Sequence, residues 1–287
     1  MREKVHVFEV GPRDGLQNEA LMIATARKVQ LIDLLSLTGL KKIEVASFVS
    51  PQWVPQMADG AEVLSSIRRR PGVRYTGLVP NLKGYERARA AGVDEIAVIV
   101  SASETFSRKN INCTIAESLS RIKQIVAAAD AGRIPVRGYV SCVIACPYDG
   151  PTPPEAVVAL TATLLDMGCY EVSLGDTIGA GVPASVANML DAVLRGTPAG
   201  VLAGHYHDTG GAALANIAVS LERGLRTFDT SAAGLGGCPF APGAPGNVAT
   251  GTVVAYLAQH GYETGIDPAR LSEAEKCALK IKGASPR

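Results

Sequence analysis

The chain has 287 residues, of which 47% are hydrophobic and 19% are charged, and its formal net charge is +1. This length fits one barrel-sized domain or two small ones. A near-neutral chain without a long basic run argues against a nucleic-acid partner. Because no apolar stretch approaches the roughly 20 residues of a membrane span, no transmembrane segment is expected.

Apolar runs of strand length alternate along the chain with amphipathic segments of helix length, and Gly or Pro marks many of the junctions. The predicted strands are, in chain order, Val5–Val10, Lys42–Ser47, Arg74–Val79, Glu95–Ser101, Val136–Ser141, Glu171–Gly175, Val201–His207 and Thr227–Ala232. The predicted helices between and after them are Ala24–Leu37, Ala58–Arg69, Leu82–Ala91, Ile115–Ala131, Pro154–Met167, Pro183–Leu194, Gly211–Arg223 and Val248–Gln259.

Strands that alternate with helices predict a parallel sheet, because each crossover must cover one face of the sheet. Eight such units predict an α/β fold, a single (β/α)8 TIM barrel. The competing doubly wound sheet is disfavoured, since no Gly-x-Gly-x-x-Gly motif opens the first helix. We expect one catalytic domain over residues 1–287, with the barrel at about 5–260 and a C-terminal extension at about 261–287. The helical stretch of this extension, Leu271–Lys280, should pack on the outside of the barrel.

The N-terminus, MREKVHVFEV, runs directly into a predicted strand. It has neither the hydrophobic segment of a secretory signal nor an Arg/Ser-rich amphipathic leader, which predicts a soluble, cytoplasmic protein. The cysteines form no CxxC pair, and several lie in apolar runs where reduced, buried thiols are the default. They are Cys113, Cys142, Cys146, Cys169, Cys238 and Cys277. We therefore expect no disulfide framework.

Two of the four histidines of the chain, His205 and His207, lie in one predicted strand. Side chains on a strand alternate between its faces, so both imidazoles point the same way. Two imidazoles directed at one point are half of a metal site, and the alternative is a pair of packed or surface histidines. A carboxylate after the first strand and a Gly/Pro-rich loop that ends at Asn247 favour the metal site.

The active sites of TIM barrels lie at the C-terminal ends of the strands, and Asp14, His205, His207 and Asn247 all fall there. One carboxylate, two neutral imidazoles and one amide oxygen suit a divalent cation such as Mg²⁺ or Mn²⁺, and they leave about two positions of an octahedron open. Without a Cys ligand, a structural zinc site is disfavoured. The alternatives are a turn-forming role for Asp14 and a helix N-cap role for Asn247, ahead of Val248–Gln259.

Four further polar residues fall at the same end of the predicted barrel: Arg13, Glu44, Tyr139 and Asp176. A fixed guanidinium at Arg13 can stabilise a developing oxyanion, or it can form a structural ion pair with Glu44. Glu44 lies in an apolar strand and needs a partner there, for which Arg13 or a metal-bound water could serve. Asp176 is a candidate proton carrier, with a helix cap as the alternative. Tyr139 is either a substrate contact or a core tyrosine.

Two loops complete the set of candidates. The loop Gly234–Asn247 is dense in Gly and Pro, which suits a segment that closes over a ligand. Cys238 lies inside it, either as a thiol brought to the reacting carbon or as an unreactive loop cysteine. The segment Phe106–Asn112 carries Arg108 and Lys109, which could meet a phosphate-bearing carrier or belong to a solvated loop.

Taken together, these segments resemble the 3-hydroxy-3-methylglutaryl-CoA (HMG-CoA) lyase family, part of a superfamily of metal-dependent lyases and synthases on a TIM barrel. The resemblance covers nearly the whole chain. It is carried by EVGPRDGLQNE, IEVASFVSPQWVPQMAD, SRKNIN, SLGDTIG, GHYHDT and AAGLGGCPFAPGAPGN. The Arg-Asp pair and H-x-H mark only the superfamily, whereas SFVSPQWVPQMAD and the cysteine loop indicate the lyase branch.

The resemblance implies a Mg²⁺- or Mn²⁺-dependent retro-Claisen cleavage of HMG-CoA to acetyl-CoA and acetoacetate. The metal ligands that it implies are Asp14, His205, His207 and Asn247. The catalytic residues that it implies are Arg13, Glu44, Asp176 and Cys238, and His205 is a further catalytic candidate. Arg13 would stabilise the enolate oxygen, Asp176 or His205 would be the base, and Cys238 would be the acid. The expected substrate-binding residues are Arg13, Gln17, Tyr139 and Asn110.

Four positions depart from the pattern of this family. Gly251 stands where the family usually has Glu, Gly210 and Ala212 replace the usual Tyr and Gln, and Gln52 replaces a common Lys. The loss of a carboxylate near the metal could shift metal affinity or rate, and small residues could widen the pocket. These departures bear on the identity of the substrate more than on the type of reaction.

Two other functions are compatible with the sequence. One is a related enzyme that cleaves or condenses another branched 3-hydroxyacyl-CoA, and the other is a metal-binding barrel without lyase activity that serves as a scaffold. The presence of Arg13, Asp14 and Asp176 argues against a scaffold, which needs no proton carriers. The expected partner is a small acyl-CoA substrate, with no nucleic acid and no membrane. An exposed helix face could support a homodimer.

Overall fold

A computed structural model of the chain describes residues 2–19, 21–238 and 241–283, and only the backbone of Cys238 and of residues 241–245. Eight parallel strands close into a barrel, in which the first strand pairs with both the second and the eighth. The barrel strands, one to eight, are His6–Glu9, Lys42–Ser47, Arg74–Leu78, Glu95–Ser101, Val136–Ser141, Glu171–Asp176, Leu202–Tyr206 and Thr227–Thr230. This architecture confirms the predicted TIM barrel, and each predicted strand overlaps an observed one.

The described ranges contain ten α-helices. They are α1 (Thr25–Leu35), α2 (Gly60–Ser66), α3 (Leu82–Ala90), α4 (Glu104–Ile111), α5 (Ile115–Ala131), α6 (Pro154–Met167), α7 (Pro183–Val193), α8 (Ala213–Glu222), α9 (Thr250–Gln259) and α10 (Pro268–Gly283). All of them except α4 overlap a predicted helix. None of the helices in these ranges is long and apolar enough to cross a membrane.

Local side-chain chemistry sets several helix boundaries. In α5, the Thr114 hydroxyl accepts from the Glu117 backbone N–H at 3.0 Å, and the Glu117 carboxylate accepts from the Thr114 N–H at 2.8 Å. This reciprocal pair is a capping box. Helix α6 ends at Met167 and is capped by Gly168, whose φ of 112° is a left-handed conformation that favours glycine.

The structure excludes two of the alternatives that the sequence left open. Much of the segment Phe106–Asn112 lies on α4 rather than in a solvated loop, and the helix forms because the Ser103 hydroxyl accepts from the N–H of Phe106 at 3.0 Å. Helix α9 begins only at Thr250, after Ala249, so Asn247 is not its N-cap.

Short antiparallel hairpins follow two of the barrel strands. Ala145–Cys146 pairs with Gly150–Pro151 after strand five, and Gly237–Cys238 pairs with Ala241–Pro245 after strand eight. Helix α10 packs against α1 and against the turn Ala232–Gly234, which lies between strand eight and the second hairpin. The C-terminal extension therefore covers the outside of the barrel and also touches the base of a loop at the barrel mouth.

Five cysteines are buried free thiols: Cys113, Cys142, Cys146, Cys169 and Cys277. This agrees with the expectation of reduced, buried cysteines at those positions. The side chain of the sixth, Cys238, lies outside the described part of the chain.

Candidate functional site

The residues Arg13 and Asp14 lie on a tight turn that follows the first barrel strand. The segment Gly11–Gly15 forms a single π-helical turn with Pro12 near its start. The carbonyl of Val10 accepts from the backbone N–H groups of Arg13 at 3.2 Å and of Asp14 at 2.7 Å. One carbonyl thus fixes two consecutive residues at the barrel mouth, where single π turns often mark functional sites.

Arg13 is buried and joins two carboxylates. Its Nε and Nη2 donate to Oε2 of Glu44 at 2.8 and 2.7 Å, and its Nη1 donates to Oδ1 of Asp14 at 2.7 Å. The Tyr139 hydroxyl donates to the same Glu44 oxygen at 3.4 Å. Burial disfavours the guanidinium, but Glu44 and Asp14 outweigh it and raise the pKa of Arg13. The ion pair with Glu44, which the sequence offered as an alternative role for Arg13, is present, and Arg13 stays charged.

Asp14, His205 and His207 converge on one point. Each offers one ligand atom, and these atoms all lie within 4.8 Å of one another. Asn247 joins the group, because its Nδ2 donates to Oδ2 of Asp14 at 2.7 Å. The buried Nδ1 of His207 has no hydrogen-bond partner among the described residues. A buried imidazole nitrogen without a partner, beside a carboxylate, fits a divalent cation.

The charges of this group also fit a cation. Burial opposes ionisation of Asp14, but Arg13, followed by His205 and His207, lowers its pKa to about 2. Burial lowers the pKa of His207 to about 4, so its imidazole is neutral and able to act as a ligand. Burial works the same way on His205, but the hydrogen bond and charge of Asp229 outweigh it and raise its pKa.

Asp229 and Arg137 lie inside the barrel beneath this group, and the sequence analysis did not identify either. Oδ2 of Asp229 lies 3.1 Å from Nδ1 of His205, and Arg137 donates to both Asp229 oxygens at 2.8 and 3.0 Å. Arg137 also donates to Glu171 at 2.7 Å. Since Nδ1 of His205 faces Asp229, its Nε2 is left free to bind a metal ion. Carboxylates behind a metal-binding histidine usually orient the imidazole in this way.

Two more side chains of the predicted site have buried oxygens without a hydrogen-bond partner in the described ranges, namely Oε1 of Glu44 and Oε1 of Gln17. Burial raises the pKa of Glu44, and the charge of Arg13 opposes this rise. Such atoms are costly in a folded protein unless a ligand satisfies them. Glu44 and Gln17 are therefore suited to contact a substrate.

The predicted residue Asp176 ends strand six, which pairs with the strand that carries His205. The Asp176 carboxylate accepts from the backbone N–H groups of Ala180 at 3.1 Å and Gly181 at 2.7 Å, so it holds the loop after strand six. Burial raises its pKa, and these hydrogen bonds lower it. It caps no helix, because α7 begins only at Pro183.

Arg108, Lys109 and Asn110 are exposed on α4. Arg108 pairs with Glu104 at 3.0 Å, and the Lys109 ammonium lies 4.3 Å from the ring centroid of Tyr148. This places the cations on the rim formed by α4 and the hairpin after strand five.

The loop after strand eight approaches the Arg13–Asp14 turn at its base. A Cβ at Gly236, which has φ of 93°, would lie 3.2 Å from Cα of Gly15 and 3.3 Å from Nδ2 of Asn247. The close approach therefore requires glycine at position 236. Cys238 belongs to the short hairpin that follows, and its side chain is outside the described part.

A buried carboxylate that the sequence analysis also missed joins the two loops. Oε1 of Glu9 accepts from the backbone N–H groups of Gly11 and Ala232, each at 2.8 Å, and its Oε2 accepts from the Thr250 hydroxyl at 2.7 Å. Burial raises the pKa of Glu9 to about 7, although the hydrogen bonds from Thr250, Ala232 and Gly11 oppose the rise. The charge of Glu275 adds to it.

The raised pKa of Glu9 predicts a pH-dependent term in stability. Between about pH 4.5, its ordinary value, and pH 7, the folded protein keeps a proton that the unfolded chain releases. The contribution of Glu9 to the free energy of unfolding should therefore fall by roughly 3 kcal/mol as the pH rises through this window. Urea unfolding of the wild type and of Glu9→Gln from pH 4 to 8 measures it. A difference between the two proteins that does not change with pH would contradict the prediction.

The departures from the family pattern have specific surroundings. Gly210, which is exposed, and Ala212 both lie in the segment between strand seven and α8. Next to Gly251 lies the carboxylate of Glu275 from α10, with Oε2 2.6 Å and Oε1 2.8 Å from the place of a Cβ at position 251.

Comparison with known proteins shows the family of the chain. The HMGL-like family model matches residues 4–277. The cytoplasmic 3-hydroxy-3-methylglutaryl-CoA lyase of Danio rerio is 57% identical over 94% of this chain and 81% of that protein. The crystal structure of the HMG-CoA lyase from Brucella melitensis has a TM-score of 0.97 and 59% identity over 98% of this chain and 99% of that one.

A further solved structure contains ligands. An HMG-CoA lyase from Acinetobacter baumannii, in complex with coenzyme A and 3-methylmalate, has a TM-score of 0.92 and 37% identity, covering 98% of this chain and 92% of that one. By sequence along almost its whole length and by fold, the chain belongs to the HMGL-like family.

Proposed function

We propose that the protein is a metal-dependent carbon–carbon lyase that cleaves HMG-CoA to acetyl-CoA and acetoacetate. The observation that carries the proposal is the contact between Arg13 and Asp14, which sets a permanent positive charge beside a group of metal-ligand side chains at the barrel mouth. The names of the relatives support the same reaction. The acyl-CoA would bind at the mouth, next to Arg13 and Asp14.

Asp14, His205, His207 and Asn247 would hold the metal ion. Their mixed nitrogen and oxygen donors suit Mg²⁺ or Mn²⁺. Once bound, the ion supplies a Lewis acid and a template that orients the hydroxyl and carboxylate oxygens of the substrate.

Glu44 is the proposed proton acceptor. Its Oε1 is buried without a partner in the described ranges, and burial raises its pKa. Of the bases expected from the sequence, His205 would be occupied as a ligand, and the carboxylate of Asp176 is held by two backbone amides. Glu44 would take the proton of the tertiary hydroxyl as the carbon–carbon bond breaks and acetoacetate forms.

Arg13 would stabilise the enolate that the cleavage leaves on the thioester fragment. Three of its five N–H groups point at Glu44 and Asp14, which leaves two for the enolate oxygen. Protonation of the enolate carbon then completes acetyl-CoA. Cys238 is the proposed acid on the family resemblance alone. Tyr139, which contacts Glu44, and Gln17, with its unpartnered buried Oε1 in the described ranges, are proposed substrate contacts.

The test is turnover of HMG-CoA, followed by coupled detection of acetyl-CoA. We expect activity that EDTA abolishes and that added Mg²⁺ or Mn²⁺ restores, because the ligand group supplies no Lewis acid without an ion. The exposed-site variant Arg121→Ala on α5 is the control and should match the wild type. A protein that binds Mn²⁺ but releases no acetyl-CoA would refute HMG-CoA as the substrate and direct the search to larger 3-hydroxyacyl-CoA thioesters.

A further inference from the structure

Glu275, on the C-terminal helix α10, reaches a loop that belongs to the barrel. Its Oε1 accepts from the backbone N–H of Gly251 at 2.8 Å and from that of Ala233 at 3.1 Å. A Cβ at Gly251 would lie 2.6 Å from Oε2 of Glu275 and 2.8 Å from Oε1. The carboxylate of Glu275 thus fills the space that the Cβ of any other residue at position 251 would need.

The two amides that Glu275 binds lie at opposite ends of one loop. Ala233 belongs to the turn that leads into the loop, and its φ of 53° is left-handed, which is unfavourable for alanine without support. Gly251 lies in the first turn of α9, which follows the loop, and its N–H has no acceptor within the helix. A single oxygen therefore holds both ends of the segment that carries Cys238 and Asn247.

A second carboxylate bridges the same two ends from inside the barrel. Glu9 accepts from the N–H of Ala232 at 2.8 Å and from the hydroxyl of Thr250 at 2.7 Å. These are the residues directly before Ala233 and Gly251, so the two carboxylates act on adjacent positions at each end. Lys282 adds a contact from α10, since its Nζ donates to the carbonyl of Gly234 at 3.3 Å.

We propose that Glu275 is a positioning residue for the lyase reaction: it fixes both ends of the loop after strand eight and, through them, the place of Asn247. The C-terminal helix is then part of the working site rather than only a cover for the barrel. This inference rests on the proposed function for its kinetic consequence, but its structural consequence can be measured without any turnover.

Three variants separate the effect of the acceptor from that of the charge. Glu275→Ala removes the acceptor, Glu275→Gln keeps an Oε1 that both N–H groups can use, and Glu273→Ala is the control at an exposed carboxylate on the same helix. In Glu275→Ala, hydrogen exchange of the amides of residues 232–251 should accelerate at least about tenfold. We also expect weaker Mn²⁺ binding and a kcat for HMG-CoA about ten- to a hundredfold lower. Glu275→Gln should stay close to the wild type in all three measurements.

Exchange of the carboxylate between the two positions gives an independent test. Gly251→Glu alone should impair Mn²⁺ binding and turnover, because its side chain meets Glu275. Combined with Glu275→Gly, it should recover a kcat above that of either single variant, since one carboxylate again fits the space.

The outcomes separate this inference from the proposed function. Hydrogen exchange and Mn²⁺ affinity in Glu275→Ala that match those of Glu273→Ala would overturn the positioning role, as would a Gly251→Glu protein that behaves like the wild type. A wild type that cleaves no HMG-CoA would overturn the proposed reaction, while faster exchange and weaker Mn²⁺ binding in Glu275→Ala would still support the positioning of the loop.

Discussion

Replacement of Arg13 by lysine will lower kcat for HMG-CoA cleavage by about 10²–10³-fold, the usual cost of removing a donor that stabilises an oxyanion. The guanidinium binds Glu44 through two nitrogens and Asp14 through the third. A lysine keeps the charge, but its single ammonium cannot serve both carboxylates and still face an enolate oxygen. The loss should therefore appear mainly in kcat, while Mn²⁺ remains bound.

Lysine is a more informative replacement than alanine at this position. Alanine would leave the buried Glu44 without its cation, which typically costs about 3–5 kcal/mol of stability and would obscure the kinetic effect. The measurements are steady-state kinetics with HMG-CoA and titration with Mn²⁺, and Arg121→Lys on the surface of α5 is the matched control. If Arg13→Lys has the kcat of the wild type, the guanidinium group of Arg13 is not what stabilises the enolate.

The barrel and the convergence of four polar side chains at its mouth could be predicted from local patterns. Each barrel strand is covered by helices on one side and by the packed interior on the other. Such strands are apolar along their length and can be recognised in the sequence as hydrophobic runs, such as Glu95–Ser101. The positions of His205 and His207 follow from the alternation of side chains on a strand, and those of Asp14 and Asn247 from the ends of strands. Each of these inferences needs only a few neighbouring residues.

The supporting groups could not be predicted in the same way, because they depend on contacts between distant segments. Glu9 joins two loops that are more than two hundred residues apart in the chain, and Glu275 reaches a barrel loop from the C-terminal helix. One signal was nevertheless available: Arg137 and Asp229 are charges in strands that should be buried, and such charges need partners. Because the two side chains have opposite charges, a salt bridge between them could have been expected.

Substitution of Asp229 by asparagine will lower the affinity for Mn²⁺ by about 10–100-fold. Losses of this size are typical when the carboxylate that hydrogen-bonds to a metal-binding histidine is removed. Although burial opposes its ionisation, Arg137 leads the groups that lower the pKa of Asp229, so the carboxylate stays charged next to His205. It lies 3.1 Å from Nδ1 of His205, and this contact directs Nε2 towards the metal position. Asparagine is neutral and holds the imidazole less firmly in that orientation.

Glu171→Gln is the control that isolates this effect, because Glu171 also binds Arg137, with 2.7 Å between Oε1 and Nε, through a hydrogen bond that does not involve His205. Both variants remove one negative charge beside the same buried arginine, so both should lower the free energy of unfolding. Only Asp229→Asn should weaken Mn²⁺ binding in calorimetric titration. Equal losses of affinity in the two variants would show that the metal site responds to the net charge inside the barrel. A loss confined to Asp229→Asn would show that it responds to the orientation of His205.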